Sequence, residues 1–173
     1  VEEALKTYNS IDVLVNNAGW DKVEPFLEND PSIWRKIIDI NLMGQIYTCK
    51  TILPHMIENG YGKVVNISSD AARVGSSGEA VYSAAKGGVI SFTKTLAREM
   101  ARYKINVNCV APGPSDTPLF QEIGTYPEGI TQALERAIPF RRLAKPSDIA
   151  NAVSFFASRS EERRVGKECR SRW

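Results

Sequence analysis

At 173 residues, with 43% apolar and 24% charged side chains, the chain is long enough for one domain with a sizeable core. No apolar run reaches the ~20 residues of a membrane span, and Val1-Glu2-Glu3-Ala4-Leu5 lacks the basic head and apolar stretch of a secretory signal. Net charge is +2, but residues 159–173 alone carry six Lys/Arg against three Glu, which leaves −1 on the body and excludes a basic nucleic-acid stripe there.

In chain order, three β-branched runs read as buried strands: 12–16 (Asp-Val-Leu-Val-Asn), 63–68 (Lys-Val-Val-Asn-Ile-Ser) and 105–110 (Ile-Asn-Val-Asn-Cys-Val). Between the first two, Asp30-Pro31 gives an N-cap with proline at the first helical position. Ile33, Trp34, Ile37, Ile38 and Ile46 then supply an apolar face. This helix is expected to run to Asn59-Gly60, with a break near Gly44. A second helix is expected over 82–103, burying Val89, Ile90, Phe92, Leu96, Ala97 and Met100. Strand alternating with helix predicts an α/β parallel sheet. Residues 113–129 read as a loop with short helical pieces, 130–138 as a short helix, and Pro146-Ser147-Asp148 as the start of the last helix.

The periodicity ends at Ser158. The string from Arg159 to Trp173 resembles the translation of a sequencing-adapter oligonucleotide, so 1–158 is taken as the domain and 159–173 as a non-native tail. The three cysteines, Cys49, Cys109 and Cys169, are scattered, with no CxxC or Cys/His cluster. No zinc or other metal site is expected, and a cytoplasmic location is the default.

Open α/β sheets bind ligands beyond the carboxyl ends of their strands. Each strand here exits into small, polar or turn-forming residues: Asn16-Asn17-Ala18-Gly19, Ser68-Ser69-Asp70, and Ala111-Pro112-Gly113-Pro114. Tyr82 and Lys86 open the helix after the second exit and, four apart, share one face. A free tyrosine titrates near 10; a nearby ammonium lowers that value and suits the phenol to acid–base work. By itself the pair reads equally as a surface contact of little energetic value.

Together these elements resemble the short-chain dehydrogenase/reductase family over residues 1 to 158. The matching motifs are Asn16-Asn17-Ala18-Gly19, Asn41 in Asp-Ile-Asn-Leu-Met-Gly, Ser69 in Asn-Ile-Ser-Ser, Tyr82-Ser-Ala-Ala-Lys86, and Pro112-Gly113 with Thr117. The resemblance implies a doubly wound, Rossmann-like sheet and an NAD- or NADP-dependent exchange of hydride with a secondary alcohol or ketone. It implies that Tyr82 is the proton donor or acceptor, Lys86 lowers its pKa and bonds the nicotinamide ribose, and Ser69 bonds the substrate oxygen. Asn41 would hold a water in a proton relay. Asn17, Ala18 and Gly19 would lie against the cofactor's ribose, and Pro112, Gly113, Ser115 and Thr117 would border the nicotinamide. Many family members carry an aliphatic residue where Ser115 stands, so its backbone is the expected contact.

Two subgroups of the family come closest: the 3-oxoacyl-carrier-protein reductase type and the 2-hydroxycyclohexanecarboxyl-CoA dehydrogenase type. The second is favoured by Asn-Ala-Gly-Trp20-Asp21 and by the run from Ser69 to Tyr82. Both imply a hydroxyacyl or oxoacyl thioester as the small-molecule substrate, and the family implies a homotetramer. No nucleic acid or membrane partner is expected. A non-catalytic dinucleotide-binding regulator is the alternative on the same fold, though Ser69, Tyr82 and Lys86 are all present.

The family's glycine-rich phosphate loop should precede Asn16, where this chain has fifteen residues. The expectation is a partial fold lacking the first βαβ unit and the last strand, with an uncovered sheet edge, weak dinucleotide binding and an inactive fragment. Three readings stay open. Trp20 and Asp21 touch substrate or serve packing. Asp70 and Arg73 meet an acyl or carboxylate group or form an ordinary loop ion pair. His55, the only histidine, reads as structural.

Overall fold

The computed structural model describes residues 1–122 and 129–158. The 159–173 tail, and part of the expected 113–129 loop, lie outside the described residues. The order is α1 (Glu2–Tyr8), β1 (Val13–Asn16), α2 (Ser32–Ile38), a π-helical turn (Asp39–Met43), α3 (Gly44–Glu58), β2 (Gly62–Ile67), α4 (Ala71–Val74), α5 (Ala80–Met100), a 3-10 turn (Ala101–Tyr103), β3 (Ile105–Val110), α6 (Pro118–Glu122), α7 (Ile130–Ala137) and α8 (Pro146–Ala157).

The strands form one parallel sheet in the order β1-β2-β3. Val13 to Asn16 register on Lys63 to Asn66, and Gly62 to Ile67 on Ile105 to Val110. β2 is central and buried throughout, so it reads as a continuous apolar run. Helices α3 and α5 cover one face, where Cys49, Ile52, Leu53, Met56, Val64, Leu96, Ile105 and Val107 make the core. Helix α8 packs on β2 and β3. It is anchored by buried Lys63, whose Nζ donates to the Ser158 carbonyl at 2.9 Å. Helices on both faces of a parallel sheet make this the Rossmann-like arrangement expected. On β1, Val13 and Val15 stay exposed.

Two local expectations are corrected. The long first helix does not break at Gly44. It continues through the π turn, where the Gly44 amide reaches back five residues to the Asp39 carbonyl. The second helix begins at Ala80, before Tyr82. The Asp30 cap is present in substance: its carboxylate accepts the Ser32 amide at 2.8 Å, while Pro31 already has helical dihedrals.

A buried polar ladder crosses the α3/α5 face. Asn16 Nδ2 donates to Asn66 Oδ1 at 2.8 Å, and Asn66 Nδ2 donates to Thr93 Oγ1 at 2.9 Å. Thr48 Oγ1 donates to Asn16 Oδ1 at 2.7 Å. The ladder joins β1, β2, α3 and α5 directly behind the strand exits.

Candidate active site

The three strand exits are tied to one another by backbone bonds. The Ser68 amide donates to the Val110 carbonyl at 2.8 Å, and the Asp70 amide to the Pro112 carbonyl at 2.7 Å. Ser68 Oγ donates to the Lys86 carbonyl at 2.8 Å, which fixes α5 against the end of β2. Gly19, at the end of the β1 exit, packs where no side chain fits easily. A Cβ there would lie 3.1 Å from Asn41 Oδ1 and 3.5 Å from Lys86 Nζ. Gly19, Asn41 and Lys86 thus meet at one point.

Tyr82 and Lys86 occupy the first turns of α5. Lys86 is buried, and its Nζ donates to the Ile67 carbonyl at 3.0 Å and sits 5.5 Å from the Tyr82 ring centre. Burial pulls its pKa down to about 8, against the influence of the neighbouring Cys109 and Asp21 side chains, which push it up. The pair is therefore no surface contact: its cation is held inside the protein by the strand it must address.

Asn41 is fully buried in the π turn. Its Nδ2 donates to the Trp20 carbonyl at 2.5 Å and to the Ile37 carbonyl at 2.9 Å, and its Oδ1 accepts the Trp20 amide at 3.3 Å. The side chain is spent on holding the Gly19–Trp20 turn. Its backbone carbonyl accepts Gln45 Nε2 at 3.2 Å, and the same nitrogen reaches the Ile67 carbonyl at 3.1 Å. A π turn offsets the helical ladder by one residue, a distortion that recurs at functional sites.

Ser69 Oγ accepts the Ala71 amide at 3.3 Å, a helix-entry contact that leaves its O–H to donate elsewhere. Beyond β3, Ser115 Oγ donates to the Gly113 carbonyl at 2.9 Å, and Thr117 Oγ1 accepts the Phe120 amide at 3.2 Å to cap α6. Ser115 also bridges Ala144. Pro112 is tied to Asp70, whereas Gly113 is exposed, with open space where a Cβ would stand. Asn17 and Ala18 are exposed beside Gly19.

Of the open readings, Trp20 is half-buried with Lys36 Nζ 3.7 Å from its ring centre, a packing contact that leaves the substrate reading open. Asp70 and Arg73 form no ion pair with each other; the Arg73 amide donates to the Asp70 carbonyl at 2.7 Å. His55 lies near the end of α3, remote from the strand exits.

Sequence reasoning left three contributors out. Gln45 had one available signal, an amide one turn after Asn41 on a face otherwise apolar. Asn66 is a polar residue inside a buried strand. Glu79 had no signal; it joins Asp21 only because the 75–79 loop folds back. Asp21 is buried, 3% exposed, and neither carboxylate oxygen has a hydrogen-bond partner. Its pKa is pushed up to about 7, chiefly by burial and further by Glu79, against the pull of the adjacent Lys22 amide and of Lys86.

A family model described as enoyl-(acyl carrier protein) reductase matches residues 1–169. The chain is 37% identical over 158 residues to a 3-oxoacyl-[acyl-carrier-protein] reductase of Chlamydia pneumoniae, covering 91% of this chain and 62% of that one. It is 40% identical over 158 residues to an acetoacetyl-CoA reductase of Acinetobacter sp., with the same 91% and 62% coverage. A crystal structure of a 3-ketoacyl-(acyl-carrier-protein) reductase from Brucella melitensis complexed with NADH superposes with a TM-score of 0.84 at 33% identity, over 92% of this chain and 64% of that one. The chain thus spans about 62% of the length of the curated relatives. Among the described residues no helix is long and apolar enough to cross a membrane.

Proposed function

The chain belongs to the short-chain dehydrogenase/reductase family, and from that premise we propose that it serves hydride transfer between NAD or NADP and a secondary alcohol or ketone carried on a hydroxyacyl or oxoacyl thioester. The observation that carries this reading is the buried Lys86 ammonium, held on the Ile67 carbonyl beside Tyr82. The thioester rests on the printed names of the relatives, a 3-oxoacyl-[acyl-carrier-protein] reductase and an acetoacetyl-CoA reductase.

The residues present fit a dinucleotide. The missing side chain at Gly19 leaves a cradle against Asn41 and Lys86. Asn17, Ala18 and Gly19, with Lys86, would hold the ribose. Pro112, Gly113, Ser115 and Thr117 would border the ring. When bound, the nicotinamide supplies or accepts the hydride.

The chain's own residues manage the proton. In reduction the Tyr82 O–H gives its proton to the carbonyl oxygen; in oxidation the Tyr82 phenolate takes the alcohol's proton. The Lys86 ammonium favours the phenolate over the phenol, which brings that exchange nearer neutrality. Ser69 donates its O–H to the substrate oxygen and stabilises the charge growing there. The Asn41 carbonyl, shared with Gln45, keeps a lone pair for a water that passes the proton on from Lys86. The reading extends to a cytoplasmic homotetramer acting on a small molecule, which rests on the family pattern alone.

Tyr82→Phe tests the reading in the protein carrying this chain. Reduction of an acetoacetyl thioester should fall about 10²–10⁴-fold while dinucleotide binding persists. Unchanged turnover removes Tyr82 from the mechanism. A wild-type protein that binds dinucleotide but turns over no alcohol or ketone is a regulator instead.

A further inference from the structure

Beside Tyr82 lies a small cavity of about 10 Å³, room for about one water. Ile37 and Phe26 give it apolar walls, and Asp21, Glu79 and Tyr82 line it with polar groups. Asp21 is 3% exposed, and neither carboxylate oxygen makes a hydrogen bond of good geometry, with the Lys22 amide and the Glu79 carboxyl near enough to act on it. Glu79 is half-buried and close enough for its charge to act on Asp21. The fold holds the pair together. Gly78 has a positive φ of 84°, and a Cβ there would meet Val23 Cγ1 at 2.8 Å. Its carbonyl accepts the Glu24 amide at 3.0 Å, which stitches the Glu79 loop to the Asp21 loop.

We propose that Asp21 and Glu79 form a specificity site that accepts a hydrogen bond from a second hydroxyl on the substrate, beyond the oxygen addressed by Tyr82. This rests on Tyr82 as the acid–base group, which places the substrate against this cavity.

The chemistry of the walls selects the ligand. A buried carboxyl without a partner is costly, and a group that leaves it unpaired is rejected. An alkyl group would seal Asp21 away unbonded. A carboxylate would meet two acidic groups. A hydroxyl is water-sized and reproduces the bonds of the water the cavity has room for. An ammonium is disfavoured because the Lys86 ammonium already acts on Asp21 from α5.

The test is binding to the protein carrying this chain, saturated with dinucleotide, by calorimetric titration. The probes are cyclohexanol, the cyclohexane-1,2-, 1,3- and 1,4-diols, and 2-aminocyclohexanol. At least one diol should bind about 10–100-fold tighter than cyclohexanol. Asp21→Leu should bring that diol to the cyclohexanol level, whereas Asp21→Asn, which keeps an acceptor, should retain part of the preference. Should Asp21→Leu fail to fold, Glu79→Leu against Glu79→Gln makes the same comparison at a half-buried position. Equal affinity for the diols and cyclohexanol, absence of binding by both, or tighter binding of the amino alcohol overturns the proposal. Ser69→Ala, outside the cavity lining, separates the two readings: it should cut turnover and leave the diol preference intact. A diol preference in a protein that oxidises no alcohol means that the functional reading has failed and the site has not.

Discussion

Asn41 and Trp20 are bonded in both directions, Nδ2 to the Trp20 carbonyl at 2.5 Å and the Trp20 amide to Oδ1 at 3.3 Å. A side-chain amide is the one group that can complement a peptide unit in this way. It carries the π turn's geometry into the β1 exit, so the position of Gly19 depends on Asn41. Asn41→Ala leaves buried polar backbone without partners and should destabilise the protein by about 1–3 kcal/mol. Dinucleotide affinity should fall as well, because the turn it holds loosens. A urea unfolding midpoint and a dinucleotide titration measure the two effects. An Asn41→Ala protein of wild-type stability would show that the double bond to Trp20 contributes nothing.

Gly19 is the next position where geometry fixes the outcome. A methyl group there meets Asn41 Oδ1 at 3.1 Å and Lys86 Nζ at 3.5 Å. Both neighbours are pinned, Asn41 by its three bonds and Lys86 by the Ile67 carbonyl. Overpacking of this kind costs about 1–3 kcal/mol. Gly19→Ala should therefore weaken dinucleotide binding and lower stability modestly, and Gly19→Val should do both more severely. Equal dinucleotide affinity in wild type and Gly19→Val would take this turn out of the cofactor site.

Asp21 makes stability depend on pH with a definite sign. Its carboxyl is pushed up to about 7 from 3.8, mainly by burial. Between those values the folded chain holds a proton that the unfolded chain has released, so stability falls as pH rises through that window and levels off above it. Asp21→Asn removes the titration. It should melt at a higher temperature than wild type at pH 8 and close to wild type at pH 4. A thermal melt series across that range reads it directly. A gap that does not widen with pH would mean that Asp21 is solvated in the folded protein.

The sheet and the acid–base pair were legible because each rests on local pattern. Three β-branched runs with polar exits can form little else, and Tyr82 to Lys86 is one helical turn. What was hidden depends on neighbours distant in sequence. The π turn at Asp39–Met43 leaves the apolar stripe of Ile33, Ile37 and Ile38 undisturbed, so periodicity pointed instead to a break at Gly44. The burial of Asp21 depends on a loop 58 positions away, and no spacing rule connects it with Glu79. Asn16 read as the polar end of one strand and Asn66 as a polar residue inside another; only the parallel register, which sets them side by side, turns them into a pair.

That pair separates stability from chemistry. Asn66 donates to Thr93 Oγ1 at 2.9 Å and accepts from Asn16 Nδ2 at 2.8 Å, and it is fully buried. Removing its amide leaves Asn16 Nδ2 with only the weak 3.4 Å contact to Cys49 Sγ. It also takes from Thr93 Oγ1 its bond from the Asn66 amide, leaving its donation to the Val89 carbonyl. Asn66→Ala should cost about 2–4 kcal/mol, from the stranded polar groups together with a cavity. The bonds of this ladder run among Asn16, Asn66, Thr48 and Thr93 and the Val89 carbonyl, not to the acid–base groups. Turnover per folded molecule should therefore stay near wild type at low temperature, while the melting temperature drops. Should turnover collapse at a temperature where circular dichroism shows Asn66→Ala still folded, the ladder positions the strand exits as well as stabilising them, and Asn66 becomes a positioning residue of the site.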